Sequence, residues 1–209
     1  MVKQEIIFWR FLWKIQYKLM ILPIILMLLA ILSKGYDGDL PNNILIFVVF
    51  PLLILPIIAL LYQIGSIHLK ELLLTYPLHN FIFGWVRPIT LSIIYAAAFV
   101  VSLTLTNHYT FVELMAAFIS SLFYMILTAF FLILFKNVAM GVALPLAYLF
   151  YGMFTTGTGQ GYFYLLQWSR ANPDISLYDC IIVQGIAALG FSLWGVYLLK
   201  HRNKYHWSL

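Results

Sequence analysis

Six long apolar stretches, separated by shorter polar segments, dominate the pattern along the chain. A helix needs about 20 mostly apolar residues to cross the hydrocarbon core of a bilayer. The pattern therefore predicts an all-α membrane protein, in which a single domain over residues 1–209 contains six transmembrane helices. The predicted spans cover residues 19–32, 44–64, 83–105, 111–135, 138–154 and 177–199.

The second predicted span contains two prolines, Pro51 and Pro56. A proline inside a helix removes a backbone hydrogen-bond donor, which a membrane helix tolerates when neighbouring groups satisfy the freed carbonyls. We therefore expect a kink in this helix. The fifth span also contains a proline, Pro145, in its middle.

The segment before the first span, residues 1–18, combines basic and aromatic side chains. At 100° per residue, its four basic residues fall on one helical arc that is roughly 80° wide. This pattern predicts an interfacial amphipathic helix, an elbow that lies along the cytoplasmic surface before the chain enters the membrane. The alternative is that the segment extends the first span toward water.

Two further segments do not fit simple spans. Residues 66–80 are amphipathic and contain Pro77, which predicts a short helix at or below the cytoplasmic interface. Residues 155–176 begin with a glycine-rich stretch and contain the run Tyr162-Phe163-Tyr164-Leu165-Leu166-Gln167-Trp168. This run indicates a re-entrant element that dips into the outer leaflet before the last span. An interfacial aromatic anchor is the alternative interpretation.

The basic residues predict the orientation of the six spans. If the N-terminus is cytoplasmic, 10 of the 12 lysines and arginines lie inside, and only Lys34 and Arg170 lie outside. Cytoplasmic segments carry such an excess of basic residues in membrane proteins. An even number of spans then places both termini in the cytoplasm. The ten inside residues are Lys3, Arg10, Lys14, Lys18, Lys70, Arg87, Lys136, Lys200, Arg202 and Lys204.

Composition supports the membrane class and narrows the chemistry. Hydrophobic residues make up 64% of the chain and charged residues 9%, whereas a soluble domain is about half apolar and about a quarter charged. The net charge of +5 suits anionic lipid headgroups and does not indicate nucleic acid. Phosphate-binding loops, histidine pairs at i, i+4 and nucleophile elbows are absent from the sequence. We expect no catalytic residue, metal or cofactor in this chain.

The segment between the second and third spans resembles the cytoplasmic coupling segment of ABC-2-type transporter permeases. In that family a Glu-x-x-Leu-(x)-Ser/Thr-x-Pro pattern lies at this place. The elbow, the six spans, the cytoplasmic termini and the re-entrant segment before the last span are similar to the family as well. The matching coupling residues are Lys70, Glu71, Leu72, Leu73, Leu74, Thr75, Tyr76 and Pro77.

The resemblance implies the membrane subunit of an ATP-driven exporter in a bacterial plasma membrane. Two permease subunits would pair, as identical copies or as homologues, and two separate ATP-binding cassette subunits would bind ATP and Mg²⁺. Residues 66–76 would insert into the ATP-binding subunit, with Lys70 and Glu71 as candidates for polar contacts. Alternatively, both side chains simply solvate one helix face. The small outer loops are similar to those of permeases that export peptides or other amphipathic molecules.

Two other functional classes are compatible with six spans. An accessory membrane subunit would anchor or regulate another complex without transporting a substrate. An intramembrane enzyme acting on lipids would need clustered polar catalytic residues at membrane depth, and the sequence contains no such cluster. Copurification of a soluble ATPase would distinguish the permease from both.

Overall fold

The computed structural model describes residues 2–35, 39–65 and 81–201, and every regular element in these ranges is a helix. Six of the helices are long and apolar enough to cross a membrane, which is the architecture of a multi-pass membrane protein. This confirms the predicted all-α fold with six spans. The spans are Phe8–Gly35, Leu40–Tyr62, Gly84–Thr106, Phe111–Phe135, Val138–Thr155 and Leu177–Lys200.

The first helix, α1, covers Val2–Leu32 and is longer than the predicted first span. Gln16 has non-helical backbone angles (φ −111°, ψ 21°), so the helix kinks close to the end of the predicted elbow. Before the kink, Cζ of Arg87 lies 3.4 Å from the ring centre of Phe8 and ties this part of α1 to the third helix. The span Phe8–Gly35 therefore begins before the predicted residues 19–32, and it includes the kink.

The second helix, α2, is interrupted in its middle, as the sequence predicts. Its break at Leu53 and Ile54 lies between Pro51 and Pro56, which have no backbone N–H to donate. Below the break, the backbone N–H of Ile58 donates to the carbonyl of Ile54 at 2.9 Å and restores the helical pattern. The parts of α2 are Leu40–Ile44, the π-helical turn Leu45–Val49, Phe50–Leu52 and Leu55–Gly65.

Four more helices complete the bundle. The third, α3, begins with the π-helical turn Ile82–Val86 and continues as Arg87–Thr106. It is followed by α4 over Phe111–Phe135, α5 over Val138–Thr155 and α6 over Leu177–Lys200. Following the predicted orientation, we call the end of the bundle at which α3 connects to α4 the outer end, and the opposite end the inner end.

Side-chain caps fix the starts of α4 and α5. The carboxylate of Glu113 accepts hydrogen bonds from the backbone N–H and the hydroxyl of Thr110, at 2.7 and 2.8 Å, in a capping box. The side-chain oxygen of Asn137 accepts a hydrogen bond from the N–H of Ala139 at 2.9 Å. Both helices therefore begin where the hydrophobic pattern predicts.

The fourth helix lies at the centre of the bundle. It packs against α2, α3, α5 and α6, whereas α1 packs against α2 and α3. In the most apolar windows, 67% of the α4 residues and 72% of the α2 residues are buried, but only 28% in α5 and in α6. Thus α2 and α4 form the interior, and α1, α5 and α6 each leave a wide apolar side for lipid or a partner.

Candidate functional site

The connection between α5 and α6, residues 156–176, packs into the helix bundle, and we call it the outer segment. Its only regular structure is a short 3-10 helix over Gly161–Phe163. Residues 164–168 are nevertheless no more than 2% exposed. A surface loop is rarely this buried, since its backbone polar groups then need partners inside the protein.

Trp168 is the main apolar contact between the outer segment and the helices. The centre of its indole ring lies 5.7 Å from that of Phe99 on α3, 6.3 Å from that of Phe50 on α2 and 5.7 Å from that of Tyr109. Phe50 in turn stacks on Tyr124 of α4 at 5.5 Å. The indole therefore fills the space between α2, α3 and the connection from α3 to α4, where aromatic pairs add to the energy of buried area.

Gln184 of α6 provides the polar part of the attachment. Its amide nitrogen donates hydrogen bonds to the carbonyls of Tyr162 and Tyr164, at 3.1 and 3.0 Å. Its amide oxygen accepts a hydrogen bond from the hydroxyl of Ser120 on α4 at 2.8 Å. These four residues form the Gln184 network, which joins α4, α6 and the outer segment and satisfies two backbone carbonyls away from water.

A second glutamine attaches the start of the outer segment to α5. The amide nitrogen of Gln160 donates a hydrogen bond to the carbonyl of Tyr148 at 2.8 Å. Its side chain lies against Gly152, where any Cβ would collide with the Gln160 amide oxygen. Gly157 has φ +77° and packs on the ring of Tyr164, so a larger residue would be both strained and obstructed. These contacts explain two of the glycines at the end of α5 and in the turn that follows.

Two tyrosines in the outer connections of the bundle have raised pKa values. Burial raises the pKa of Tyr109 above its usual value, although hydrogen bonds with Asn107, Ser169 and Asn42 lower it in part. Burial also raises the pKa of Tyr164, and the positive charge of Arg170 offsets part of this effect. Both phenols therefore remain neutral at physiological pH.

An apolar groove with a volume of about 900 Å³ lies between α4, α5 and α6, and we call it the lateral groove. Its walls are aliphatic and aromatic, and no charged side chain lines it. At its outer end the hydroxyl of Tyr148 donates a hydrogen bond to the carbonyl of Phe163 at 2.9 Å, which links α5 to the outer segment there. The residues that define its extent are Phe123, Phe131, Tyr148, Phe163, Gly190 and Trp194.

In the part of the chain that the structure describes, the interior of the bundle is polar in places but has no buried charged side chain. Among the described residues, the buried polar side chains are serine, threonine and glutamine, together with tyrosines such as Tyr95 and Tyr124 whose hydroxyls donate to backbone carbonyls. The same part of the chain contains no cluster of His, Cys, Asp and Glu that could hold a metal ion. Cys180 is buried and free. The arrangement offers hydrogen bonds and apolar contact, rather than charges or metal ligands, to a bound molecule.

The predicted ATPase-coupling residues lie outside the described residues. All eight, from Lys70 to Pro77, belong to residues 66–80, so their role stays a prediction. The structure instead brings together Ser120 and Gln184, which were not predicted as site residues. Gln160, which was not predicted either, forms a separate contact with α5. Gln184 could have been identified from the sequence, because it is an isolated amide within the apolar run Ile181-Ile182-Val183-Gln184-Gly185-Ile186. Such residues in spans often join helices.

Comparisons of the chain with protein-family models, with curated protein sequences and with solved structures gave no match in any of the three. The functional proposal therefore rests on the residues of this chain.

Proposed function

We propose that this chain is the membrane-spanning permease subunit of an ATP-driven ABC exporter, which moves a peptide or another amphipathic molecule out of the cell. Two such subunits, identical or homologous, pair in the membrane. Two separate ATP-binding cassette subunits bind ATP and Mg²⁺ and dock at the cytoplasmic side. The substrate enters from the bilayer between the two permease subunits.

The observation that carries this proposal is a six-span bundle without a charged side chain among its described buried residues. Carriers driven by ions or protons usually place ionisable groups within their spans. A bundle built on serine, threonine and glutamine suits a different source of energy. A partner that hydrolyses ATP supplies that energy when an element of the permease can transmit its movement.

Residues 66–80 are the proposed coupling element. In the sequence they connect the two helices α2 and α3, and they contain the pattern Glu71-Leu72-Leu73-Leu74-Thr75-Tyr76-Pro77. α2 is one of the two most buried helices and is interrupted at its prolines. Movement of a coupling element joined to α2 would therefore reach the interior of the bundle directly.

The part of α1 before the kink is the proposed interfacial elbow, on the cytoplasmic side together with both termini. Arg10 and Lys14, which precede the kink, are exposed, as a helix at a membrane surface requires. Phe11 and Trp13 are also about half exposed, which suits contact with lipid. The kink at Gln16 gives the chain a place to turn from the surface into the bilayer.

The outer segment is the proposed re-entrant element. Phe50 lies ten residues into the span Leu40–Tyr62, which corresponds to a depth of about 15 Å. Phe99 lies seven residues before the outer end of α3 at Thr106, or about 10 Å deep. Because Trp168 contacts both rings, its indole sits well below the outer ends of these helices. This depth favours a re-entrant element over an aromatic anchor at the surface.

Copurification tests the permease proposal. The chain would be purified from native membranes under mild detergent, and ATPase activity and stoichiometry of any bound subunit would be measured. We expect one ATP-binding subunit for each permease chain. The double variant Glu71→Lys plus Leu73→Asp should lose this subunit, because it reverses a charge and places a charge on the apolar side of the proposed helix.

The matched control for this experiment is Asp174→Lys, which reverses an exposed acidic residue of the outer segment. It should retain the ATPase at the wild-type level. Retention of the ATPase by the double variant would reject the proposed coupling contact. Absence of any ATPase from the wild-type preparation, together with an intact fold, would favour an accessory membrane subunit instead.

A further inference from the structure

The lateral groove covers one half of the membrane thickness. On α4 it extends from Phe123, which lies twelve residues from each end of the helix, to Phe131, four residues before the inner end. On α6 it reaches Trp194, six residues before Lys200. The eight residues between Phe123 and Phe131 correspond to about 12 Å, and half of a hydrocarbon core measures about 15 Å. The groove therefore matches the length of a single leaflet.

The length of the groove decides between its two plausible occupants. A transmembrane helix from a second copy is about 30 Å long and needs a groove along the whole bundle. Here the outer end carries Phe163, which is linked to α5 through the Tyr148 hydroxyl. An acyl chain of the inner leaflet begins at the headgroup and ends near the bilayer midplane, which is where the groove ends.

Charge at the two ends of the helices favours an anionic lipid. At the inner end, Lys136 follows α4 and Lys200 closes α6. At the outer end, Glu113 and Asp179 lie in the first turns of the same two helices. Lysines near a membrane surface attract anionic headgroups. A lipid with its tail in the groove would have its headgroup at the helix ends that carry these two lysines.

We propose that the lateral groove binds an acyl chain of an anionic phospholipid from the inner leaflet, with the headgroup near Lys136 and Lys200. The apolar and aromatic walls bind the chain, and the two lysines favour a negative headgroup over a zwitterionic one. The lipid is a bound component of the fold that fills the space between α5 and α6. The proposal depends on the six-span architecture and not on the transport function proposed above.

Two glycines of α6 provide a matched pair of variants. A Cβ at Gly190 or at Gly185 would meet no other atom within 4 Å, so both sites tolerate a side chain. Only Gly190 lines the groove. Gly190→Trp therefore places an indole in the groove, whereas Gly185→Trp adds the same indole to the same helix outside it.

Native mass spectrometry of the full chain in detergent, titrated with phosphatidylglycerol or phosphatidylcholine, measures binding and oligomeric state together. We expect a saturable phosphatidylglycerol site in the wild type and in Gly185→Trp. Exclusion of only two methylenes would already weaken binding about tenfold, so Gly190→Trp should weaken it by at least that factor. Equal binding by the two tryptophan variants would overturn the proposal.

The headgroup is tested with Lys136→Asn plus Lys200→Gln. Asparagine is chosen because residue 136 has a left-handed backbone with φ 51°. Loss of two lysines near a membrane surface should reduce the preference for phosphatidylglycerol over phosphatidylcholine by roughly thirtyfold. An unchanged preference would reject the headgroup position, and with it the anionic lipid.

A measurement on the wild type guards against variants that fail to fold. Phosphatidylglycerol with a photoreactive group in the middle of its acyl chain should label residues 123–131 of α4 and 186–194 of α6. Labelling spread evenly over all exposed helix faces would contradict a defined site.

Conversion of a wild-type dimer to a monomer by Gly190→Trp would show that the groove holds a second copy, which also overturns the proposal.

Discussion

Gln184 joins the outer segment to two helices at once. Its three hydrogen bonds reach a side chain on α4 and two backbone carbonyls. Gln184 is 1% exposed, and its bonds to Ser120 and to the carbonyl of Tyr164 are buried. A buried carbonyl without a hydrogen-bond donor destabilises the folded protein, so removal of the Gln184 amide should lower the free energy of unfolding.

We expect Gln184→Leu to lower the free energy of unfolding by about 1–3 kcal/mol, because it leaves two carbonyls and the Ser120 hydroxyl without their partner. The measurement is reversible unfolding in mixed micelles with increasing denaturing detergent. Ser192→Ala is the control on the same helix, since its hydroxyl bonds only to the carbonyl of Ala188 one turn earlier. Equal effects of the two variants would show that the Gln184 network adds little.

At the scale of elements, the outer segment behaves as part of the core and not as a loop. Its stability comes from Trp168, which contacts rings on two helices, and from amides that pair its backbone. Large aromatic residues contribute most when they are fully enclosed, and Trp168 is 2% exposed.

Trp168→Ala should destabilise the protein by about 3–5 kcal/mol, because it leaves a large cavity between α2 and α3. It should also release the outer segment, which limited proteolysis from the outer side would detect as faster cleavage between α5 and α6. Phe154→Ala is the control, because Phe154 is 87% exposed at the end of α5. A protease pattern like that of the wild type would contradict the role assigned to Trp168.

The elements differ in how far the sequence could predict them. All six spans follow from runs of apolar residues, and Pro51 and Pro56 foretell the break in α2. The aromatic run predicts a re-entrant element, but the burial of Trp168 in particular does not follow from it, because the irregular chain has no periodicity to indicate which side chains are enclosed. The lateral groove was equally hidden, since Phe123, Tyr148 and Trp194 come together only through the packing of three helices.

At the scale of the whole molecule, the charges divide the bundle into two ends. Among described basic residues, Lys34 and Arg170 lie at the predicted outer end, where Lys34 donates a hydrogen bond to the carbonyl of Leu105 at 2.8 Å. Arg10 and Lys136 lie at the opposite end of their helices. Because cytoplasmic segments carry an excess of basic residues, this division predicts that the end with Arg10 and Lys136 faces the cytoplasm.

Single cysteines in a Cys180→Ala background test the orientation. An impermeant maleimide should label Lys34→Cys and Arg170→Cys from outside intact cells, because both positions lie in outer connections. It should label Arg10→Cys and Lys136→Cys only in inverted vesicles. Labelling of all four positions from one side would reject the six-span topology. The reverse labelling pattern would show that the protein has the opposite orientation in the membrane.

The enclosed position of Trp168 has a consequence for how the protein is made. Five helices precede Trp168 in the chain, so the space between Phe50 and Phe99 stays unfilled until late in synthesis. Gln184, which holds the segment in place, is translated later still. The core of the nascent protein is therefore complete only after α6 has been synthesised. A chain interrupted before α6 would therefore leave the carbonyls of Tyr162 and Tyr164 without the amide of Gln184.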